Sequence, residues 1–503
     1  MDTFNAAMRL SSLSKHKKAL LMIVGALALA GIVFLVYALP ETSNQVPAAA
    51  PPITTISTTI PPDLTAREVS FHGSDGITLH GTIVEPATPI ARRPGVVLVH
   101  GSGAGTPRTR FLTEATAFAR QGLSVLIYDK RSAGYSGFQR SYSQLADDAL
   151  GAVRTMRALP DVDPAKVGIW GLSEGGWVAP LAATRSADVA FVIVVGANAM
   201  VPLRQQTWAV ASALHREGVS GSLLDRAEPN MYRLLANAGA FAEAYYNAEA
   251  VLRQLRQPLL GIWGSDDLQT PPEENPPLFA QVLQQGGNPH YTLRFFPSAD
   301  HAVHQSPDGG LTRLPSLAPG YAELVGAWVG DVTGGRLPEA DAPAPPQQEW
   351  PSVAVPPSAW WESAWMQLGA FALCIVAFSG YPLVALVRRM RGRSALAGIG
   401  NPARLLAGTG AAAVLGFFVY MLYLLMSSAK VAAPGPVLAG RPLPWLLLQA
   451  LALAAVGASV ATAVVWRRAG GSVSRGERLR LGLLLAGGGV FVPWALYWGL
   501  LVP

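Results

Sequence analysis

Apolar positions along the chain fall into two patterns. Residues 19–39 (ALLMIVGALALAGIVFLVYAL) form one uninterrupted run, long enough to cross a bilayer as a helix. Four more runs of that kind lie at about 365–387, 405–427, 443–466 and 481–502. Four in succession, with basic clusters between alternate pairs, predict transmembrane helices rather than buried core helices. Between these groups the apolar runs shrink to five to ten residues. REVSFHG (67–73) and ITLHGTIVEP (77–86) predict a hairpin. GVVLVHG (95–101), LSVLIYD (123–129), VGIWG (167–171), VAFVIVVGA (189–197), PLLGIWG (258–264) and YTLRFFP (291–297) predict further strands. Short runs rich in Val, Ile and Leu fit a parallel sheet buried on both faces. The stretches 109–121, 141–159, 176–186 and 273–286 are long enough for crossover helices, which makes the fold class α/β.

Composition sharpens the membrane reading. Half of the 503 residues are hydrophobic and only 14% are charged, against about 25% in soluble domains. The net charge is +6, and its distribution matters more than its size. Residues 1–18 carry +3, residues 388–404 carry +5 and residues 467–480 carry +4, so the remainder is net negative. Basic segments flanking membrane spans stay in the cytoplasm, which leaves 40–364 and the C-terminus outside. The loop 428–442 carries only Lys430 and Arg441, in agreement. The basic excess thus reports topology and speaks against a nucleic-acid partner. The single cysteine, Cys374, excludes a disulfide framework and a cysteine-based zinc site.

The expected organisation is a cytoplasmic N-terminus (1–18), a transmembrane anchor (19–39), a linker rich in Pro, Thr and Ala (40–64), an α/β domain (65–331), a second linker (332–364) and a four-helix transmembrane domain (365–503). No strong small-residue cleavage site follows the first span, so it is read as an uncleaved anchor rather than a signal peptide. Residues 200–256 are too many for one crossover. They read as several helices that form a candidate cap over a site.

The chemistry centres on Gly171-Leu172-Ser173-Glu174-Gly175-Gly176, where a strand runs directly into a helix. A nucleophile at so tight a turn needs small residues two before and two after it. Ser173 is therefore the candidate nucleophile, and it needs a base. His301 follows the last strand in FPSADHAVH and is preferred over His304; His215 and His290 are poorly placed. The orienting acid should follow PLLGIWG, where Asp267 is preferred over Asp266. Two backbone N–H donors are needed for an oxyanion hole: that of Glu174, after the nucleophile, and that of Ser102 in the loop HGSGAG, with Gly103 second. His100 is read as structural and Asp300 as a solvated or loop-capping carboxylate.

HGSGAG, YDKRSAGYSG (128–137), GLSEGGW, GSDDLQTP and the ADH ending at His301 together resemble the α/β-hydrolase superfamily, nearest to bacterial esterases of the dienelactone-hydrolase and acylaminoacyl-peptidase-like branch. The resemblance covers about 65–330. It implies a mostly parallel sheet with helices on both faces, and Ser173, Asp267 and His301 as nucleophile, acid and base. Ser132 stands where that branch usually has glycine. The expected protein is a serine hydrolase of the bacterial inner membrane, its catalytic domain periplasmic or extracellular, acting on a small ester or other acyl substrate and needing neither metal nor cofactor. Esters are favoured over peptides, because the roughly 25 residues between anchor and first strand leave no room for the propeller of related peptidases. The alternatives are a peptidase or amidase, an acyltransferase, and a non-catalytic binding or transport protein. The C-terminal spans resemble no family, and any protein partner of theirs is unassigned.

Overall fold

The computed structural model describes residues 60–88, 92–392, 400–427, 434–470 and 473–503. The expected anchor at 19–39 lies outside them.

Strands β1 (Leu64–His72) and β2 (Thr78–Pro86) form the hairpin, with Leu64 opposite Pro86 and His72 opposite Thr78. They join β3 (Arg93–Val99), β4 (Ser124–Tyr128), β5 (Val162–Leu172), β6 (Val192–Val195), β7 (Leu259–Gly264) and β8 (Tyr291–Phe296) in one eight-stranded sheet, ordered β1-β2-β4-β3-β5-β6-β7-β8. β2 runs antiparallel to β4, and every pair beyond β4 is parallel. Alternate residues of the central strands feed two cores, as the two-residue repeat of a strand requires. Val97, Val99, Ile169, Val192 and Val194 pack with α2 (Tyr142–Arg157), α3 (Gly175–Arg185) and α7 (Asn275–Gln285). Val96, Leu98, Trp170, Ile193 and Val195 pack on the other face with α1 (Leu112–Arg120) and α8 (Tyr321–Thr333). α2 starts where predicted because the Ser141 hydroxyl accepts the Gln144 N–H, a polar cap at the first turn.

Among the described residues, four helices are long and apolar enough to cross a membrane: α9 (Ala364–Met390), α10 (Asn401–Met426), α11 (Leu443–Ala469) and α12 (Arg475–Tyr497). Each packs on the next, and α12 returns to α9. A short hairpin of β9 (Val437–Leu438) and β10 (Arg441–Pro442), which the sequence reading did not foresee, joins α10 to α11. Arg388, Arg389, Arg404, Arg467, Arg468 and Arg478 all lie at one end of this bundle.

The opposite end meets the α/β domain through the 200–256 insertion, which contains α4 (Pro202–Arg216), a π-helical turn (Leu223–Ala227), α5 (Glu228–Asn237) and α6 (Ala248–Leu252). Leu214, Leu223, Leu224 and Met231 share one core with Phe378, Trp445, Phe491 and Trp494 of the bundle. The Ser222 hydroxyl accepts from Trp445 Nε1 and Gln449 Nε2, each at 3.2 Å. Asn230 donates to the Tyr497 carbonyl at 2.8 Å, and Arg233 pairs with Glu362 at 2.7 Å. On its other side the insertion touches the α/β domain, where Gln205 donates to the Gln269 carbonyl at 2.5 Å.

The segment after α8 is extended, as expected of the second linker, but it is laid down rather than free. Asp341 exchanges backbone hydrogen bonds with Tyr291 and Leu293 beside β8. Gln348 and Ser352 bind the carboxylates of Glu273 and Glu274, and Trp208 Nε1 donates to the Trp350 carbonyl at 2.6 Å. This strap ties sheet, insertion and bundle together.

Candidate active site

Ser173 sits where β5 ends and α3 begins, with φ of 56°. A left-handed serine is a strained backbone, as a nucleophile elbow requires. The flanking glycines follow from contact distances. A Cβ on Gly171 would lie 2.1 Å from the Gly175 carbonyl oxygen, and one on Gly175 would lie 2.5 Å from that of Val99. Ser173 N–H donates to the Val195 carbonyl at 2.8 Å, which fixes the turn against the end of β6.

The next residue, Gly196, adjoins His301. A Cβ there would lie 2.8 Å from both Nδ1 and Cε1 of the imidazole, so the ring lies against bare backbone beside the serine turn. His301 and Asp267 are both buried, and His301 Nδ1 lies 2.8 Å from Asp267 Oδ2. The other oxygen of Asp267 accepts the N–H groups of Gln269 (2.8 Å) and Thr270 (2.9 Å). With both carboxylate oxygens committed, the imidazole is held in one orientation, with its Nδ1–H donating to Asp267. His301 Nε2 is buried and has no hydrogen-bond partner among the described residues.

The competing residues are engaged elsewhere. Asp266 accepts from the Ser265 hydroxyl. His304 lies between Glu114 at Nε2 (3.0 Å) and the Leu314 carbonyl at Nδ1 (2.9 Å). Asp300 caps its own loop, accepting from the N–H groups of Ala302 and His304 and pairing with Arg313. It is buried rather than solvated. His100 stacks on Phe111 and is 2.8 Å from the Tyr128 carbonyl through Nε2. Burial, with help from the Lys130 charge, pushes its pKa down to about 3, so it is a neutral structural donor.

The loop carrying Ser102 lies beside Ser173: a Cβ on Gly101 would be 3.3 Å from the Ser173 Cβ. The sequence points to Glu174 only for its backbone N–H, yet its side chain is buried in an ionic cluster. Lys130 and Arg140 pair with the carboxylate at 2.5 and 2.9 Å, and the Tyr135 hydroxyl donates to it at 2.8 Å. Burial raises the Glu174 carboxyl, but Lys130 and Arg140 outweigh that and hold it below its ordinary value, so it is ionised. Arg131 makes a second buried pair with Asp148. The motif 128–137 was the available signal for both clusters, but its residues carried no assigned role.

Residues 110–314 match the Prolyl oligopeptidase family (Peptidase S9). A polyketide transferase, claH, of Penicillium crustosum is 33% identical over 134 residues, which are 26% of this chain and 44% of that protein. The thiohydrolase aneE of Aspergillus aculeatus is 33% identical over 135 residues, 26% of this chain and 41% of its own length. This chain thus spans less than half the length of either relative. The dienelactone hydrolase structure from Anabaena variabilis is 21% identical, with coverage of 55% of this chain and 100% of that one and a TM-score of 0.33. Strands β4 to β8, the strained Ser173 turn, Asp267 and His301 therefore all lie within the stretch that matches the Prolyl oligopeptidase family, a family of serine hydrolases.

Proposed function

We propose that residues 65–331 are a serine hydrolase held at the membrane, cleaving carboxylic esters through an acyl-enzyme, with Ser173 as nucleophile, His301 as base and Asp267 as orienting acid. One observation carries this reading: a left-handed serine at a strand–helix turn adjoins a histidine that has Nδ1 bound to a buried aspartate and Nε2 unpartnered. Ser173 Oγ attacks the acyl carbon and passes its proton to His301 Nε2. The carbonyl electron pair moves onto oxygen, facing the N–H groups of Ser102 and Glu174. Collapse expels the alcohol, which takes the proton from Nε2, and water repeats the sequence on the acyl-enzyme. Asp267 holds the tautomer and stabilises the imidazolium. Because the arginines gather at the bundle end away from this domain, the domain faces out of the cytoplasm, at the bacterial inner membrane.

The apolar and aromatic insertion favours small or medium acyl esters. Similarity to a thiohydrolase and a polyketide transferase supports a second reading, in which the acyl group arrives as a thioester or leaves to an acceptor other than water. The test uses membranes containing the full chain. A fluorophosphonate probe is expected to label the protein but not its Ser173→Ala variant; labelling of that variant would sink the assignment. A panel of p-nitrophenyl esters, acyl-N-acetylcysteamine thioesters and aminoacyl-anilides then ranks substrates, and an anilide faster than every ester would make the protein a peptidase.

A further inference from the structure

The buried cluster around Glu174 reaches the peptides on both sides of Ser102. Lys130 Nζ, besides pairing with Glu174, donates to the Gly101 carbonyl oxygen at 2.6 Å. The Tyr135 hydroxyl donates to Glu174 and accepts the Gly103 N–H at 3.3 Å. Lys130 also sits 4.1 Å from the centre of the Tyr135 ring. The lacing continues along the loop, where Lys130 N–H donates to the Thr106 carbonyl and Gly105 N–H to that of Arg131.

The geometry of one peptide makes this consequential. The Gly101 carbonyl and the Ser102 N–H belong to the same planar trans unit and point in opposite directions. A cation fixing the carbonyl oxygen therefore sets the direction of the N–H, away from the cluster. It also polarises the peptide and makes that N–H a stronger donor. The Gly103 contact fixes the following peptide, so Ser102 is held from both sides. Glu174 joins the two grips, and it is itself the residue whose N–H is the other proposed donor.

We propose that Lys130 and Tyr135, anchored on the Glu174 carboxylate, are positioning residues that aim the Ser102 N–H at the oxyanion formed on attack by Ser173. This rests on the serine-hydrolase reading above. Neither residue touches substrate. The gain is confined to the transition state, because the carbonyl oxygen carries full charge only there.

The experiment uses the full chain in detergent or nanodiscs, with p-nitrophenyl butyrate as substrate and an alkyl trifluoromethyl ketone as inhibitor. The ketone accepts the Ser173 oxygen at its carbonyl carbon, the serine proton goes to His301, and the carbonyl electron pair becomes an oxyanion. Lys130→Met/Glu174→Gln removes one charge of each sign, which leaves the net charge of the cluster unchanged, with the remaining cation on the partly exposed Arg140. That double variant is expected to melt near the wild type, while kcat/KM falls about ten- to a hundredfold, less than the loss of a whole oxyanion donor. The Ki of the ketone should rise by the same factor. Tyr135→Phe, which deletes one oxygen, is expected to produce a smaller but equally matched pair of changes, and it serves as the test if the double variant does not fold. A folded variant with kcat/KM within twofold of wild type overturns the proposal, and so does a fall in kcat/KM without a matching rise in Ki. Ser173→Ala is run alongside: if it still hydrolyses the ester, the serine-hydrolase reading has failed, and not the positioning role.

Discussion

Asp266 and Asp267 are neighbours with different surroundings. Asp267 is buried against His301, whereas Asp266 is partly exposed and bound to Ser265. Asp267→Asn is expected to lower kcat by about 10³–10⁴, because the imidazole loses its preferred tautomer. Asp266→Asn should cost less than about tenfold, a contrast read directly from ester hydrolysis rates. His304 supports a pH prediction. Burial pulls its imidazolium down, but hydrogen bonds and charge from Glu114, with the Leu314 carbonyl, lift its pKa above the ordinary value. A raised folded-state pKa contributes stability that is complete below the unfolded value, about 6.5, and is lost as pH rises through the folded value. The melting-temperature gap between wild type and Glu114→Gln should therefore be largest near about pH 6 and shrink towards about pH 9. An unchanged gap would show that the pair is not titrating. That Asp267 rather than Asp266 meets His301 beside the Ser173 turn was legible because the α/β-hydrolase pattern sets the order of such groups along its strand ends. The Glu174 cluster was not. A carboxylate after the nucleophile gives no sign in sequence of whether it points to water or into the core, and Lys130 and Arg140 become its partners only through the fold.

At the level of elements, the strands appeared within a few residues of their predicted limits, because short Val/Ile/Leu runs bounded by glycine and polar residues have few other ways to be buried. β5 begins earlier than its apolar run, at Val162, and follows β3 from there through a register shift. The insertion was harder. Its helices were legible, with a cap over the site as the expectation. What covers them was not written in that stretch, since the cover is the bundle some 150 residues later. Leu223, fully buried in the shared core, tests the arrangement. Leu223→Asp places an unpaired charge there, at a cost of about 3–5 kcal/mol. The expected result is a lower melting temperature for the whole chain, with ester hydrolysis and bundle helicity lost in one transition. Separate transitions would mean that the insertion belongs to the α/β domain alone.

For the whole molecule, the main expectation is orientation. Cys374 is buried in the bundle, so its reactivity towards external reagents is low. Leu311 of the α/β domain and Arg391 at the arginine-rich end are both exposed. In a Cys374→Ala background, a membrane-impermeant maleimide added to intact cells should label Leu311→Cys and spare Arg391→Cys; the reverse pattern would invert the topology. Trp360, Trp361 and Trp365 are exposed at the start of α9, at the other end of the bundle from the arginines. Tryptophan is favoured at the edge of a bilayer, so with the bundle in a membrane as proposed, its surface would lie close beneath the insertion. The strap has a consequence for anyone wishing to study the α/β half in isolation. A fragment cut after residue 331 would lack Gln348, Trp350 and Ser352, and it would leave Leu214, Leu223, Leu224 and Met231 bare to water. Such a fragment is expected to clump on purification, as proteins with large uncovered apolar patches do. A soluble version would have to run through residue 358 and exchange those four side chains for polar ones, with monodispersity on gel filtration as the measure of success.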